Sequence, residues 1–226
     1  MRFENLNWFD LEEYLERDDR LMFILGACEQ HAYLSLLTDR NIPRALGDAA
    51  SQETGVPLAP ALNFGISPFF LSYPGTLSLQ VETMIKIVQD LLQSAYQQGF
   101  RRFLFLNGHG GNTPIREKLS EMINQAPGMK IDFYSWYDSS RVQEVAKTHQ
   151  ITGYHASWYE AFSFNKVSEL PEDEKEPVAV PGIIDSKSIR KILGDGSFGG
   201  KYYVSDQIMR EIFDTALEDI LQLLEF

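Results

Sequence analysis

Two short runs of consecutive apolar residues organise the hydrophobic pattern of this chain. Leu21 to Gly26 reads LMFILG, and Arg102 to Leu106 reads RFLFL. Unbroken apolar runs of this length are typical of strands that are buried on both faces, as in a parallel sheet. The segment from Met129 to Tyr134 alternates partly between apolar and polar residues and is predicted to be a third strand.

Helical periodicity fills much of the chain outside these strands. Amphipathic helices are predicted within the first twenty residues, over 76–98 and over 205–224. The helix over 76–98 is expected to stop at Gly99, a residue suited to a helix end. Its predicted buried stripe consists of Leu79, Thr83, Ile87, Leu91 and Ala95. The stripe predicted for the last helix consists of Ile208, Ile212, Ala216 and Ile220.

Weaker signals predict four more helices, over 44–53, 114–125, 138–149 and 157–165. The best marked opening is Asn112-Thr113-Pro114, a cap candidate followed by proline in the first turn. Strands that alternate with long helices favour an α/β layer fold with a largely parallel sheet. We expect a single domain over residues 1–226. Sites in such folds lie outside the carboxyl ends of the strands, so the loops after the two apolar runs hold the candidate chemistry.

Composition and charge narrow the function classes. Hydrophobic residues make up 44% and charged residues 23%, close to the globular average. With 20 basic and 32 acidic residues the formal net charge is −12, which argues against nucleic acid or an anionic membrane surface as partner. The apolar runs are far shorter than the ~20 residues of a membrane helix. The acidic N-terminus does not resemble a signal peptide, so we expect a cytoplasmic protein.

Glu29, His31 and Asp39 follow the first apolar run. Residues two apart in an extended segment point the same way, so Glu29 and His31 can converge on one point. Two carboxylates and an imidazole form a ligand set that suits zinc, manganese or iron. The alternative is an ordinary polar loop in which Glu29 pairs with an arginine and Thr38-Asp39 caps a helix. The spacing by itself leaves both interpretations open.

The glycine-rich segment NGHGGN follows the second apolar run and occupies residues 107–112. Its glycines allow the backbone to approach another group closely, and His109 sits among them at a strand end. Backbone N–H groups of Gly110 and Gly111, ahead of a predicted helix, are candidate donors to an oxyanion. The alternative is a plain strand-to-helix turn with an exposed histidine. The segment is neither a Walker A loop nor a dinucleotide-binding motif.

A third group of residues, His155 and Glu160, lies in GYHASWYEAF. Ser157 and Glu160 also have the spacing of a capping box, which requires neither metal nor substrate. Trp136 and Trp158 flank this group and are candidates either for pocket walls or for the core. His149 has no partner pattern and is interpreted as a surface histidine. Cys28, the only cysteine, lies beside Glu29, which disfavours a thiolate nucleophile.

In this order the segments resemble the creatininase (creatinine amidohydrolase) family. The resemblance covers about residues 20 to 165, and GDGSFGG at 194–200 resembles a late loop of the family. It implies an α/β three-layer sandwich around a central, mostly parallel sheet. The matching segments are LGACEQH and LLTD within 25–39, FGIS and PGTLSL within 64–79, LNGHGGN at 106–112 and HASWYEAF at 155–162.

The resemblance also implies a centre of two divalent metal ions, zinc and/or manganese, with iron possible, that cleaves a cyclic or small non-peptide amide. His155 would shuttle protons, and Asp39 would bridge the metals. The metal ligands would be Glu29, His31, Asp39, His109 and Glu160. The substrate-binding residues would be Ser67, Gly110, Gly111, Trp136 and Trp158. The family further implies a homo-oligomer, with a hexamer suspected. The alternatives are a formamide hydrolase acting on a pyrimidine nucleotide intermediate and a non-catalytic ligand-binding relative.

The chain departs from the family pattern in three places. Gly111 stands where creatinine-cleaving members carry a metal-binding glutamate, so Glu160 must supply the missing carboxylate and activity on creatinine is expected to be weak or absent. The loop between His31 and Asp39 is one residue shorter than usual. Phe69 and Phe70 stand where relatives often carry polar residues, which predicts a more apolar pocket rim.

Overall fold

A computed structural model describes all residues, 1–226, and its centre is a three-stranded parallel sheet. The strands are β1 (Arg20–Leu25), β2 (Arg102–Asn107) and β3 (Lys130–Ser135), in the spatial order β1-β2-β3. Their register pairs Leu25 with Asn107, and Asn107 with Ser135, so all three strands end in one row. This row forms the platform on which the candidate site is built. The predicted parallel sheet is confirmed.

Seven α-helices surround this sheet. None of them combines the length and the hydropathy that a helix needs to span a membrane. Short 3-10 turns at Pro68–Phe70, Gly110–Asn112, Trp158–Glu160 and Ser163–Asn165 lie between them. The helices are α1 (Trp8–Leu15), α2 (Thr38–Thr54), α3 (Val81–Gln98), α4 (Ile115–Gln125), α5 (Ser140–Thr148), α6 (Ser186–Leu193) and α7 (Asp206–Leu223).

The two faces of the sheet carry separate cores, which makes the predicted three layers. Met22, Ile24, Leu104 and Leu106 pack against α2, α5 and α7 on one face. Leu21, Phe23, Leu25, Phe103 and Phe105 pack against α1, α3 and α4 on the other. Side chains alternate between the faces, so burial of both faces requires apolar residues at every position. This explains why the two strand sequences show no alternation.

Helix α3 starts at Val81, five residues later than predicted, and its buried stripe is shifted. The buried residues are Met84, Val88, Leu92 and Ala95, whereas Leu91 is 41% exposed. The residues before the helix are extended, because Leu77 N–H donates to the Cys28 carbonyl and Leu79 N–H to that of Gly65. The predicted stripe began at Leu79, which lies in this extended segment and not in the helix. The residues assigned to the buried face were therefore the wrong ones, apart from Ala95.

Two further helix predictions are wrong in part. The segment 157–165 forms two 3-10 turns rather than an α-helix. Helix α2 begins at Thr38, six residues before its predicted start, although it contains Pro43. In α7, Met209 replaces Ile208 at the start of the predicted stripe, while Ile212, Ala216 and Ile220 are buried as expected.

Candidate metal centre and its cavity

The five predicted ligand residues converge above the carboxyl ends of β1 and β2. Glu29 and His31 leave β1, His109 follows β2, and Asp39 lies in the first turn of α2. Glu160 comes from the 3-10 turn Trp158–Glu160, far along the chain. All five side chains are buried, and none is more than 9% exposed. Five ionisable groups in one dry cluster are costly unless they neutralise one another or hold metal ions.

Asp39 lies at the centre of this cluster. Its Oδ1 is 3.0 Å from His31 Nε2, and its Oδ2 is 2.8 Å from His109 Nδ1. Helix α2 can approach β2 this closely because Gly108 has no side chain, since a Cβ there would lie 1.8 Å from the Asp39 carbonyl oxygen. Pro43, four residues on, has no N–H to bond that carbonyl. Gly108 and Pro43 together therefore allow Asp39 to reach the strand ends.

Glu29, Glu160 and His155 complete the cluster at slightly longer distances. Glu29 Oε2 is 3.7 Å from His109 Nε2, and Glu160 Oε1 is 3.7 Å from His31 Nε2. His155 Nδ1 is 3.9 Å from Glu29 Oε1. The ligand atoms form three triads, each within 4.8 Å. They are Glu29–Asp39–His109, His31–Asp39–Glu160 and Glu29–His31–His155. The first two triads share Asp39, as a bridging carboxylate would.

The hydrogen bonds around the cluster leave its inward-facing atoms free. His31 Nδ1 lies 3.0 Å from the Glu29 carbonyl and donates to it, so Nε2 is the ring nitrogen that faces Asp39 and Glu160. His31 Nε2 and Asp39 Oδ2 are both buried and make no hydrogen bond of acceptable geometry. Buried polar atoms are nearly always paired, and metal-binding histidines usually donate their other N–H to an acceptor. The donor set therefore fits divalent cations such as zinc or manganese.

The electrostatics of the metal-free cluster lead to the same conclusion. Burial opposes the ionisation of His109, but Glu29 and Asp39 outweigh it and raise the pKa of the ring to about 9. Burial also opposes the charge on Asp39, but His31 and His109 hold the pKa of this carboxyl well below its usual range. Burial raises the pKa of Glu29 to about 7. Burial opposes a charge on His31 as well, but Asp39 and Glu160 outweigh it and raise the pKa of this ring. Protons on His31 and His109 thus supply the positive charge that the carboxylates require.

Two buried amides tie the site loops together. Asn107 Nδ2 donates to the His109 carbonyl at 2.9 Å and lies 3.0 Å from Ser135 Oγ. Asn112 Nδ2 donates to the Gly26 carbonyl, and its Oδ1 accepts from Ile66 N–H. Asn112 is therefore not the predicted helix cap, and α4 begins without a side-chain cap. The two asparagines that bracket NGHGGN were a sequence signal for this bracing.

The glycine at 111 is enforced by packing. A Cβ on Gly111 would lie 2.0 Å from the Ile66 carbonyl oxygen and 2.5 Å from His109 Nε2. No side chain fits there unless the backbone moves. The metal-binding glutamate that the family resemblance implies at this position is therefore excluded by the local geometry as well as absent from the sequence.

The capping box predicted for Ser157 and Glu160 does not form, and Glu160 instead lies between a backbone turn and the cluster. Its Oε2 accepts from Ala156 N–H at 2.7 Å, and its Oε1 faces His31. Ser157 Oγ accepts from Tyr154 N–H and from Tyr159 N–H, so Ser157 braces the same turn. The turn is tight, since Ala156 has a positive φ of 56°. One carboxylate oxygen therefore holds the turn and leaves the other available to the cluster.

Gln30 is a site residue that the sequence reasoning missed. Its Oε1 accepts from Ala32 N–H, and its Nε2 donates to the Gly196 carbonyl, so the orientation of the amide is determined. The same Nε2 lies 3.0 Å from His155 Nε2, which must accept, and this assigns the ring proton to Nδ1. Burial, aided by His31, lowers the pKa of His155 to about 4. The ring is therefore neutral at pH 7, with its N–H directed towards Glu29.

A cavity of about 600 Å³ opens beside the cluster, within the usual range for small-ligand sites. Ser67, Gly110 and Gly111 line it, together with His155 and the ligand carboxylates. Trp136 and Trp158 do not line it. They are 1% and 0% exposed and belong to the core under α5 and α7. This corrects their assignment as substrate-binding residues, because tertiary packing uses both indoles as core.

The two remaining candidates lie outside this chemistry. His149 Nε2 is 2.6 Å from Glu211 Oε2, in a partly exposed pair away from the cavity. Cys28 Sγ lies 3.3 Å from the Gly75 carbonyl oxygen, and burial raises the pKa of the thiol. A raised pKa disfavours the thiolate, in line with the sequence prediction.

Comparison with known families places this geometry in context. The family described as "Creatininase: Creatinine amidohydrolase" matches residues 4–224. A creatinine amidohydrolase of Pseudomonas putida is 30% identical over 115 residues, which is 48% of this chain and 44% of that protein. A 3-dehydro-scyllo-inosose hydrolase of Thermotoga maritima is 24% identical over 67% of this chain and 49% of its own length. A mycofactocin precursor peptide peptidase of Mycobacterium ulcerans is 33% identical over 41% of this chain and 40% of its own. The matches thus span less than half of these relatives.

Solved structures share the fold at low sequence identity. A mutant creatininase, described as type II, superposes with a TM-score of 0.84 at 18% identity, over 98% of this chain and 96% of that one. A structure described as "Creatininase Mn" gives 0.82 at 18% identity over the same shares. A mutant creatininase of "Zn-Zn type" gives 0.80 at 20% identity, over 98% and 95%. The three-layer architecture is therefore that of the creatininases.

Proposed function

The chain belongs to the creatininase family, and from this premise we propose that it is a metal-dependent amidohydrolase that cleaves a C–N bond in a small, non-peptide amide. The observation that carries the proposal is Asp39, which is shared between two buried ligand triads. Beside it, His31 Nε2 and Asp39 Oδ2 lie within ion-pair distance of charged partners but make no hydrogen bond of acceptable geometry. An ion-pair network built for stability would align these atoms in hydrogen bonds, whereas metal ligands direct their lone pairs at the ions.

We propose that Glu29, Asp39 and His109 hold one divalent cation and that His31, Asp39 and Glu160 hold the other. Zinc and manganese suit this mixture of nitrogen and oxygen donors, and iron is a further candidate. The relatives described as "Creatininase Mn" and "Zn-Zn type" support the choice of ions. When bound, such ions supply Lewis acidity and a hydroxide nucleophile at neutral pH.

The residues of the chain itself would bind and orient the amide. In amide hydrolysis, water adds to the carbonyl carbon, the C–N bond breaks and the leaving nitrogen takes a proton from that water. Gly110 and Gly111 line the cavity at the start of a 3-10 turn, where their backbone N–H groups are candidate donors to the developing oxyanion. His155, neutral and protonated on Nδ1, would hydrogen-bond the leaving nitrogen and assist its departure.

Metal analysis beside turnover tests this proposal. We expect about two metal equivalents by elemental analysis, loss of amide hydrolysis on dialysis against a chelator, and recovery with zinc or manganese. Glu211→Gln, on the surface away from the cavity, is the matched control and should change nothing. If the protein binds no metal and its Tm does not change when a chelator is added, the non-catalytic, ligand-binding alternative is favoured.

The residues that line the cavity give less support to the alternative of a formamide hydrolase that acts on a pyrimidine nucleotide. A formamide on a pyrimidine nucleotide carries a phosphate, and such groups are usually held by Arg or Lys. None of the residues that line the cavity is Arg or Lys. We therefore propose a substrate without a phosphate. Metal-loaded protein that hydrolyses a nucleotide formamide faster than its nucleoside would reverse this choice.

We also propose that the protein works as a homo-oligomer. Two large aromatic side chains on α1, Trp8 and Phe9, are each 62% exposed and stack on each other. The segment PFFLSY contributes less than its sequence suggested, since Phe70 and Tyr73 pack into a small core with α6 and Leu71, at 53%, is its one exposed large hydrophobic side chain. Light scattering at micromolar concentration tests this proposal, and a monomer would contradict it.

A further inference from the structure

Six aromatic side chains line the cavity outside the metal centre. Phe69, Phe70 and Phe198 contribute one aromatic group, and Tyr137, Tyr154 and Tyr159 a second. Phe70 lies almost parallel to the His155 ring, with centroids 4.7 Å apart and an interplanar angle of 15°. Phe198 meets the same ring edge-on at 5.7 Å. The side chain proposed to contact the leaving group is thus framed by phenyl rings.

These phenyl rings form part of a small core of their own. Phe70 packs with Tyr73, Ile189 and Leu193, while Phe69 and Phe198 lie at its margin. Phe198 is also tied to the metal side, because its N–H donates to the His155 carbonyl. Phe69, Phe70 and Phe198 form the aromatic wall of the cavity. This wall is a preformed surface, because α6 packs on one side of it and the loop that carries His155 on the other. A rigid apolar surface favours a rigid apolar ligand.

Charge reinforces this selection. Away from the proposed metal ligands, no Arg or Lys lines the cavity that could pair with an anionic group on a ligand. Burial raises the pKa of Tyr137 and of Tyr159 above the usual range, which keeps both phenols neutral. Lys175 does not line the cavity, and its ammonium group donates to the carbonyls of Leu193 and Ser197 and pairs with Asp195. All three of its N–H groups are therefore bonded within the protein.

We propose, on the basis of the function proposed above, that the substrate is an uncharged amide with a planar aromatic ring beside the scissile C–N bond. The ring packs on Phe69, Phe70 and Phe198, while the amide reaches the metal centre. A five-membered ring with small substituents leaves most of a 600 Å³ cavity unfilled. The proposed class is therefore larger and more apolar than creatinine, and it excludes carboxylates and phosphates on the ring.

Three matched probes test the proposal by calorimetry on zinc-loaded protein. Formamide has no ring, formanilide adds a neutral ring, and 4-formamidobenzoate adds a charged one. We expect formanilide to bind at least tenfold more tightly than the other two, because only it matches the wall in both shape and charge. The proposal is overturned if 4-formamidobenzoate binds as tightly as formanilide, or if the ring adds nothing over formamide.

Substitutions in the aromatic wall test whether the tighter binding of formanilide comes from contacts with these phenyl rings. Phe69→Ala and Phe198→Leu should each weaken formanilide binding about fivefold and leave formamide unchanged. Leu91→Ala, an exposed apolar residue on α3 outside the cavity, is the control and should have no effect. Phe69→Lys should bring 4-formamidobenzoate within about twofold of formanilide, because it places a cation at the rim. The Tm of each variant shows whether weaker binding comes from a lost contact with the ligand or from a less stable protein.

Turnover of the same probes distinguishes this inference from the proposed function. If formanilide binds preferentially and no probe is hydrolysed with any metal, the proposed function fails and the assignment of the ligand class stands. If all three probes are hydrolysed at similar kcat/KM, the function stands and the aromatic assignment fails.

Discussion

The metal centre and the aromatic wall adjoin the same cavity, yet they are built in opposite ways. The centre is polar, and its ligands lie directly at the ends of β1 and β2 or contact groups that do. The wall is apolar and belongs to a separate core around α6, which has no strand beneath it. The proposed reaction is thus anchored to the sheet, whereas the proposed choice of substrate rests on loops. A fold of this kind can change its substrate while it keeps its chemistry.

Asp39→Asn should break the centre most completely, because this carboxylate is common to two triads. Asparagine keeps the shape but removes the charge that would neutralise two cations. We expect both metals to be lost or greatly weakened and activity to fall more than about 100-fold. Elemental analysis and kcat/KM measure this, with Glu211→Gln as the control. If Asp39→Asn retains two metals, Asp39 is not the bridge.

Glu160→Gln should remove one metal rather than two. The variant can still accept from Ala156 N–H, so we expect the turn to fold, one metal to bind weakly or not at all, and activity to vanish. A purely structural role predicts a different result, since an uncharged acceptor weakens the bond from Ala156 N–H, which costs at most about 0.5–2 kcal/mol and leaves the metals in place. Metal stoichiometry beside a thermal unfolding curve decides the matter. Two full equivalents with a lowered Tm would remove Glu160 from the centre.

The metal-free centre should respond to alkali in a way that the loaded centre does not. The folded state raises the pKa of His109 from 6.5 to about 9, so its contribution is present below pH 6.5 and is lost as the pH rises through 9. We expect the free energy of unfolding to fall by up to about 3 kcal/mol between these pH values. Bound metal requires neutral histidine and should abolish this fall.

Urea denaturation at pH 6.5 and at pH 9, with and without chelator, measures that difference. His149→Gln, which lies outside the cluster, should show the same pH dependence as the unchanged chain. If metal-loaded and metal-free protein lose equal stability in alkali, the histidines are not the groups that metal ions replace.

Leu193→Ala should have the smallest effect on the chemistry, because it acts on the wall alone. Leu193 is 1% exposed in the small core of α6, so its truncation should cost about 2–5 kcal/mol of stability. We expect two metals to remain, kcat to change less than twofold, and KM for a ring-bearing amide to rise several-fold. Leu91→Ala, on the exposed side of α3, is the control. Loss of metal from Leu193→Ala would show that centre and wall are a single unit.

Much of the site could be anticipated because its parts are close to the strands in sequence. Glu29 and His31 come within six residues of the end of β1, and His109 within two of the end of β2. Chain connectivity therefore placed them at the same edge before any contact was known. The two core tryptophans show the opposite case. Trp136 and Trp158 also adjoin site residues, but their direction depends on packing under α5 and α7.

The sequence by itself determined the parallel sheet, because unbroken apolar runs can be satisfied only by burial on both faces. It also determined the inventory of ligands, since chemistry depends on residue type. Only the tertiary structure decided which atoms meet. Glu160 faces His31 through a 3-10 turn where a helix was predicted, and Gln30 reaches His155 across 125 residues. Hydrophobic periodicity indicates which face of a single helix or strand is buried. It does not indicate how loops that are distant in sequence pack against each other, and these contacts depend on that packing.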